Sequence, residues 1–98
     1  MTTETATDVF YRPNRRVAAR IVDGQLIILK PETDELLQFN EVATFVWSCL
    51  EGGPQTAEQL VENILDEFEV DQDQAKLDLS EFLEQMLAHS HLEVCSKP

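Results

Sequence analysis

Long hydrophobic runs, paired-cysteine motifs and positive charge are what this 98-residue sequence has least of. Its longest uncharged apolar run, Leu26-Ile-Ile-Leu29, is far short of the roughly 20 residues that a helix needs to cross a bilayer. No membrane segment is therefore expected. The opening MTTETATDVF is polar and lacks the basic-then-apolar order of a secretion signal, which places the expected compartment in the cytoplasm. The two cysteines, Cys49 and Cys95, do not have CxxC spacing. Two such thiols argue for neither a disulfide framework nor a structural zinc site, and they fit a reducing compartment. No internal repeat or low-complexity stretch is present. An apolar content of 43% in a chain of this length supports one buried core.

Positive charge is scarce and unevenly placed. Seven basic residues stand against nineteen acidic ones, for a net charge of −12. Residues 1–30 carry Arg12, Arg15, Arg16, Arg20 and Lys30 against Glu4, Asp8 and Asp23; the remainder carries only Lys76 and Lys97 against the other sixteen acids. Nucleic-acid affinity comes largely from cation–phosphate contacts, so such a body would be repelled by a phosphate backbone. The acids either keep a small protein soluble or favour basic partners.

The pattern along the chain changes from β-like to helical. Residues 1–14 are expected to form a flexible tail, with Val9, Phe10 and Tyr11 available to dock on the body. Strands are expected at Val17–Val22 and Gln25–Leu29, because the intervening Asp23-Gly24 is a strong signal for a type I′ hairpin turn. Pro31-Glu-Thr-Asp34 reads as a second turn, since proline cannot donate to a ladder. Glu35–Phe39 then makes the third strand of an antiparallel meander. Asn40 is a candidate N-cap for a helix with Val42, Phe45, Val46, Cys49 and Leu50 on one face. Gly52-Gly53-Pro54 ends it, with glycine expected to supply a left-handed cap. Thr56-Ala-Glu-Gln59 matches a capping box ahead of Leu60, Val61, Ile64, Leu65 and Phe68. Asp71 opens a third helix whose apolar stripe is Ala75, Leu79, Phe82, Leu83, Met86 and Leu87. Leu92–Cys95 reads as a short final strand or an extended end. Strands followed by helices imply an α+β fold, with residues 15–95 as the domain and 96–98 as its end.

Signals of catalysis are missing. His89 and His91 flank one serine, but a metal site needs three or four convergent ligands, and only Cys95 or scattered acids are at hand. Cys49 lies on an apolar stripe and reads as core rather than nucleophile. No phosphate loop, Ser/His/Asp order or paired-carboxylate motif is visible. Asp78-Leu79-Ser80 has the wrong order and position for the phosphopantetheine serine of an acyl carrier. No enzyme activity and no cofactor are expected. What remains is the sheet. The outer strands of a meander have free edges, and Leu36-Leu-Gln-Phe-Asn40 carries neither the charge nor the proline that usually blunts one. An unblunted edge either is covered within the fold or pairs with a partner strand.

Taken together, Val22-Asp-Gly24, Leu29-Lys-Pro-Glu-Thr33, Phe39-Asn-Glu-Val42 with Trp47 five residues on, and Thr56-Ala-Glu-Gln-Leu60 resemble the PqqD family. Its members are the peptide chaperones of pyrroloquinoline quinone biosynthesis, related to the recognition elements for precursors of ribosomally made, modified peptides (RiPPs). The resemblance spans about Arg15 to Leu92. It implies a winged helix-turn-helix-like fold of three antiparallel strands followed by three helices. It also implies that a precursor's leader segment docks between the third strand and the third helix and is presented to a modifying enzyme. That enzyme is often a radical S-adenosylmethionine protein whose iron–sulfur clusters are its own. Carried onto this chain, one wall is Glu35, Leu36, Leu37, Gln38 and Phe39; the other is Asp78, Phe82, Gln85 and His89, spaced along one helical row. Leu37 and Gln38 must face opposite ways. Phe39 and Leu83 fit a core role as well as a contact role, capping and packing account for Asn40 and Trp47 without any ligand, and Leu77 and Ala88 read as exposed.

Two other readings compete with this one. A winged-helix transcription regulator needs a basic recognition helix, whereas the third helix carries Asp71, Asp73, Asp78, Glu81 and Glu84 against Lys76. A structural subunit would use the free edge to dimerise. The expected partners are a leader peptide and its modifying enzyme, with no nucleic acid and no membrane, and the chain is expected to be a monomer or weak homodimer.

Overall fold

The computed structural model describes residues 9–95. Six strands and three helices follow in the order β1 (Phe10–Pro13), β2 (Ala18–Val22), β3 (Gln25–Lys30), β4 (Glu35–Gln38), α1 (Glu41–Glu51), β5 (Gln55–Thr56), α2 (Ala57–Glu67), α3 (Gln72–Ala88) and β6 (Leu92–Cys95). They form two antiparallel three-stranded sheets, β2-β3-β4 and β5-β1-β6. The fold is α+β, with the expected meander and three helices. No helix among the described residues is long and apolar enough to cross a membrane.

The meander forms where local chemistry demands it. Asp23 and Gly24 both adopt positive φ, 53° and 78°, the combination that lets a two-residue turn follow the strand twist. Val22 pairs with Gln25 across it, and Ala18 with Leu29 at the far end. Along β3 the side chains alternate, so that Leu26 and Ile28 are fully buried while Gln25 and Leu29 are exposed. Leu26, Ile28, Val46, Trp47, Leu50, Leu60, Ile64 and Met86 are the largest fully buried side chains, and they join the meander to all three helices. Truncating any of the leucines to alanine would cost about 2–5 kcal/mol.

Each helix starts on a side-chain cap. Asn40 Oδ1 accepts from Ala43 N–H at 2.8 Å, and Asp71 Oδ1 accepts from Gln74 N–H at 2.8 Å. Thr56 and Gln59 close a reciprocal capping box, at 3.1 and 3.0 Å. The exit of α1 differs from expectation. Gly52 stays right-handed (φ −78°), and the positive φ lies one residue on, at Gly53 (φ 149°).

Part of the tail expected over residues 1–14 is ordered structure instead. Residues 1–8 and 96–98 lie outside the described residues, whereas Phe10–Pro13 is a strand. It pairs Phe10 with Cys95 and Pro13 with Leu92, and on its other side pairs Phe10 and Tyr11 with β5. Four residues ending in proline carry almost no strand signal, and the partner lies about eighty positions away in sequence, so no local rule could find it. Asn14 secures the join. Its N–H donates to the His91 carbonyl (3.0 Å), and its Nδ2 donates to the Ser90 carbonyl (2.9 Å).

Candidate peptide-binding groove

β4 pairs with β3 on one side only. The register sets Ile27 opposite Gln38, Ile28 opposite Leu37 and Leu29 opposite Leu36. Phe39 N–H donates to the Leu26 carbonyl at 3.1 Å. Inward and outward groups alternate along an antiparallel ladder. Leu37 and Phe39 therefore spend their main-chain groups on β3, and Leu36 and Gln38 turn theirs toward the free edge. Among the described residues no strand occupies that edge, because β1 is drawn instead into the other sheet. Side chains follow the opposite logic. Leu37 is half-buried beside Ile28, while Leu36 is 64% exposed.

Thr44 fixes where the strand stops. Its Oγ1 accepts from the buried Leu26 N–H at 2.8 Å and donates to the Asn40 carbonyl at 2.9 Å. The hydroxyl thus accepts the ladder bond that the Phe39 carbonyl would have taken, that carbonyl accepts from Gln25 Nε2 instead (3.3 Å), and the chain turns directly into α1.

α3 runs beside this edge and creates two adjoining hollows. The first, about 270 Å³, is lined by Gln38, Phe39, Asn40, Val42, Ala43, Asp78, Glu81, Phe82 and Gln85. The second, about 350 Å³, is lined by Leu36, Leu37, Gln38, Phe39, Gln85, Met86, His89 and His91. Gln38, Phe39 and Gln85 belong to both, so the hollows form one groove along β4. Eight of the nine residues expected from the sequence line it: Leu36, Leu37, Gln38, Phe39, Asp78, Phe82, Gln85 and His89. Glu35 lines neither hollow; it sits at the start of β4, opposite Lys30. Phe82, only 6% exposed, is floor rather than wall.

Sequence reasoning missed Asn40, Val42 and Ala43 at the start of α1, and Glu81, Met86 and His91, as lining residues. Glu81 and Met86 flank the chosen helical row by one position, and a single row cannot register both sides of a groove wall. His91 lies past the helix end. It is 6% exposed, its Nδ1 has no hydrogen-bond partner, and its ring stacks on that of His89 with centroids 5.6 Å apart. Burial lowers its pKa, as do the nearby His89 and Lys30, while Glu32 pulls weakly the other way. His91 is accordingly neutral near pH 7.

Burial pushes the Cys49 thiol up, Asn63 partly opposes this by hydrogen bonding, and Glu67 adds to the rise. That is the reverse of what a nucleophilic thiolate needs. Among the described residues no group of three or more His, Cys, Asp or Glu side chains is arranged to hold a metal ion. Trp47 is core, with its Nε1 donating to Glu51 Oε2 at 3.0 Å.

Comparison with known proteins finds the same fold elsewhere. Among solved structures, TbiB1 in complex with the TbiA(beta) leader peptide shares 27% identity, covering 84% of this chain and 94% of that one, with a TM-score of 0.72. A lasso peptide synthetase B1 complexed with its leader peptide shares 17% identity over 85% and 96% of the two chains, with a TM-score of 0.70. The PqqD truncation of Methylobacterium extorquens PqqCD, described as a functional, stand-alone RiPP recognition element, shares 20% identity over 86% and 88%, with a TM-score of 0.67. No curated protein sequence matches. The sequence pattern described as "Coenzyme PQQ synthesis protein D (PqqD)" matches residues 25–92, more than two thirds of the chain, and the protein belongs to that family.

Proposed function

We propose that this protein is a non-catalytic recognition element: it binds the leader segment of a ribosomally made precursor peptide by adding it as a strand to β4. The bound precursor is then delivered to a modifying enzyme, a radical S-adenosylmethionine protein in the pattern that PqqD implies. The observation that carries this reading is the outward-facing main chain of Leu36 and Gln38, set beside a groove that α3 walls on its far side. Leader peptides are present in two of the similar structures, and the 27% identical one is among them.

Energetics say what else is required. Leu36 and Gln38 together offer two N–H and two C=O groups, each bond worth about 0.5–1.5 kcal/mol net. Micromolar affinity needs about 8 kcal/mol, so the ladder alone falls short. Burying one or two apolar side chains against Phe39, Phe82 and Met86 supplies about 1.5–3 kcal/mol each. Holding the leader also raises the local concentration of the attached core segment near the enzyme. A DNA-binding role is disfavoured by the acidic surface of α3, where Asp71, Asp73, Asp78, Glu81 and Glu84 oppose Lys76.

The test is amide hydrogen exchange with and without a peptide that co-purifies from the native source and has been identified by mass. Strand addition protects the Leu36 and Gln38 amides and leaves Leu37, already bonded to β3, unchanged. Protection confined to another surface would refute it.

A further inference from the structure

Charge is unevenly distributed along the groove. At one end Asp78 and Glu81, one helical turn apart, line the same hollow as the apolar ring of Phe82. No lysine or arginine lines either hollow. Asp78 accepts from Gln74 Nε2 at 2.8 Å through one oxygen, which leaves the other oxygen and both of Glu81's for an incoming donor. At the opposite end the wall is imidazole: exposed His89 stacked on buried His91, whose Nδ1 has no partner. An unpaired buried nitrogen is unfavourable. Lys30 and His89 beside it oppose any further positive charge there.

We propose that the groove reads polarity: it selects an extended segment with a lysine or arginine at the Asp78–Glu81 end, an apolar anchor over Phe82, and a neutral hydrogen-bonding side chain at the His91 end. This rests on the strand-addition reading above. A hydroxyl or carboxamide suits the third position because each both donates and accepts, and so can pair with a nitrogen of the exposed His89 ring that stacks on the enclosed His91. Asp78 and His89 are eleven positions apart on α3, about 16 Å at 1.5 Å per residue. Positions i and i+4 of a strand lie about 13 Å apart at 3.3 Å per residue and face the same way, so the end side chains need reach only about 3 Å further between them. The recognition pattern is therefore cation, two residues on an apolar side chain, two further on Ser, Thr, Asn or Gln, in whichever chain direction the strand docks. The two ends differ in chemistry, so the same features fix both direction and register, which main-chain bonds alone leave free.

A library of random 15-residue peptides displayed on phage, selected against the whole protein, tests this without knowing the natural leader. Peptides recovered on the wild type should carry the pattern. Their binding should drop about tenfold or more in Asp78→Lys/Glu81→Lys, as an attraction becomes a repulsion. Glu84→Lys, on the same helix but outside the groove, should leave it within about twofold, because an exposed charge there is screened. Reselection on the double variant should turn the first position acidic. The 15N ring signals of His89 in the unaltered protein should shift on adding a selected peptide. Equal losses in the double variant and Glu84→Lys, or no charge preference among the selected peptides, would overturn the acidic end; unmoved His89 ring signals would overturn the other. Failure of the underlying reading looks different: selected peptides would bind Gln38→Pro as well as wild type, whatever their charge.

Discussion

A pair of adjacent proline substitutions separates the ladder that holds the fold from the ladder offered to a partner. Gln38 turns its N–H to the open edge, and Leu37 turns its N–H to β3 opposite Ile28. Gln38→Pro removes a donor that is solvated in the free protein, and edge strands tolerate proline for that reason. Its stability cost should be under about 1 kcal/mol, as for surface changes away from special contacts. A bound strand, by contrast, loses one main-chain bond and leaves a carbonyl facing the pyrrolidine ring. Together these amount to about 1–3 kcal/mol, a 5- to 150-fold weaker complex. Leu37→Pro removes a β3–β4 bond beside the fully buried Ile28, which costs about 3 kcal/mol or more. For a domain of this size each kcal/mol shifts the melting temperature by about 4–8 °C, so Leu37→Pro should melt more than 10 °C lower and Gln38→Pro within a few degrees of wild type. Thermal melts and peptide titration by fluorescence anisotropy measure the two quantities on the same samples. The reasoning fails if Gln38→Pro destabilises the protein as much as Leu37→Pro does. It fails equally if the Gln38→Pro protein, shown to be folded, binds peptide with unchanged affinity.

Thr44→Val keeps the shape of the side chain but strands the buried Leu26 N–H, so it should cost about 1–3 kcal/mol in denaturant titration and speed exchange of the Leu26 amide in particular. Asn14→Ala removes the bond to the Ser90 carbonyl that ties β1 to the α3–β6 turn; a loss of about 0.5–1.5 kcal/mol is expected, with peptide affinity changed little because Asn14 lies outside the groove. His91 has a folded pKa below its ordinary 6.5, so the unfolded chain takes up a proton first as pH falls. Stability should therefore be independent of His91 above about pH 7 and decline from about pH 6.5 downward until the folded-state pKa is passed; His91→Gln should flatten that limb of a stability–pH curve.

Most of the architecture was legible in the sequence because most of it is locally encoded. Asp23-Gly24, Asn40, the Thr56–Gln59 box and Asp71 each specify a turn or a helix start within four residues, and the structure places all of them as read. β1 and β5 were not legible, since their stability comes from pairing partners distant in the chain rather than from an alternating pattern of their own. The two groove walls were found because strand alternation and helical rows fix which side chains share a face. His91 was not, since its burial depends on the turn after α3, where Ser90 takes a φ of 60° and folds the ring back beneath His89. Sequence spacing carries no sign of that turn.

Among the described residues, the β4 edge is open because β1 pairs in the other sheet. A small domain with an N-terminal strand would ordinarily gain by laying it on a vacant ladder, and among the described residues the outer side of β4 is vacant. Instead β1 is held between β5 and β6, with Asn14 bonded to Ser90 and His91 and Arg12 paired to Glu93 at 3.1 Å. Those contacts hold β1 in the other sheet rather than on the β4 ladder. An exposed edge normally invites pairing with a second copy, yet this one carries no charge or proline on Leu36–Gln38 to prevent it. α3 lies along the same edge and lines the hollows beside it with Gln85 and His89, so a segment that pairs with Leu36 and Gln38 also meets side chains of that helix. The helix that flanks the open ladder thus supplies the second wall of the groove, and the free edge and the cleft beside it come from one helix placement.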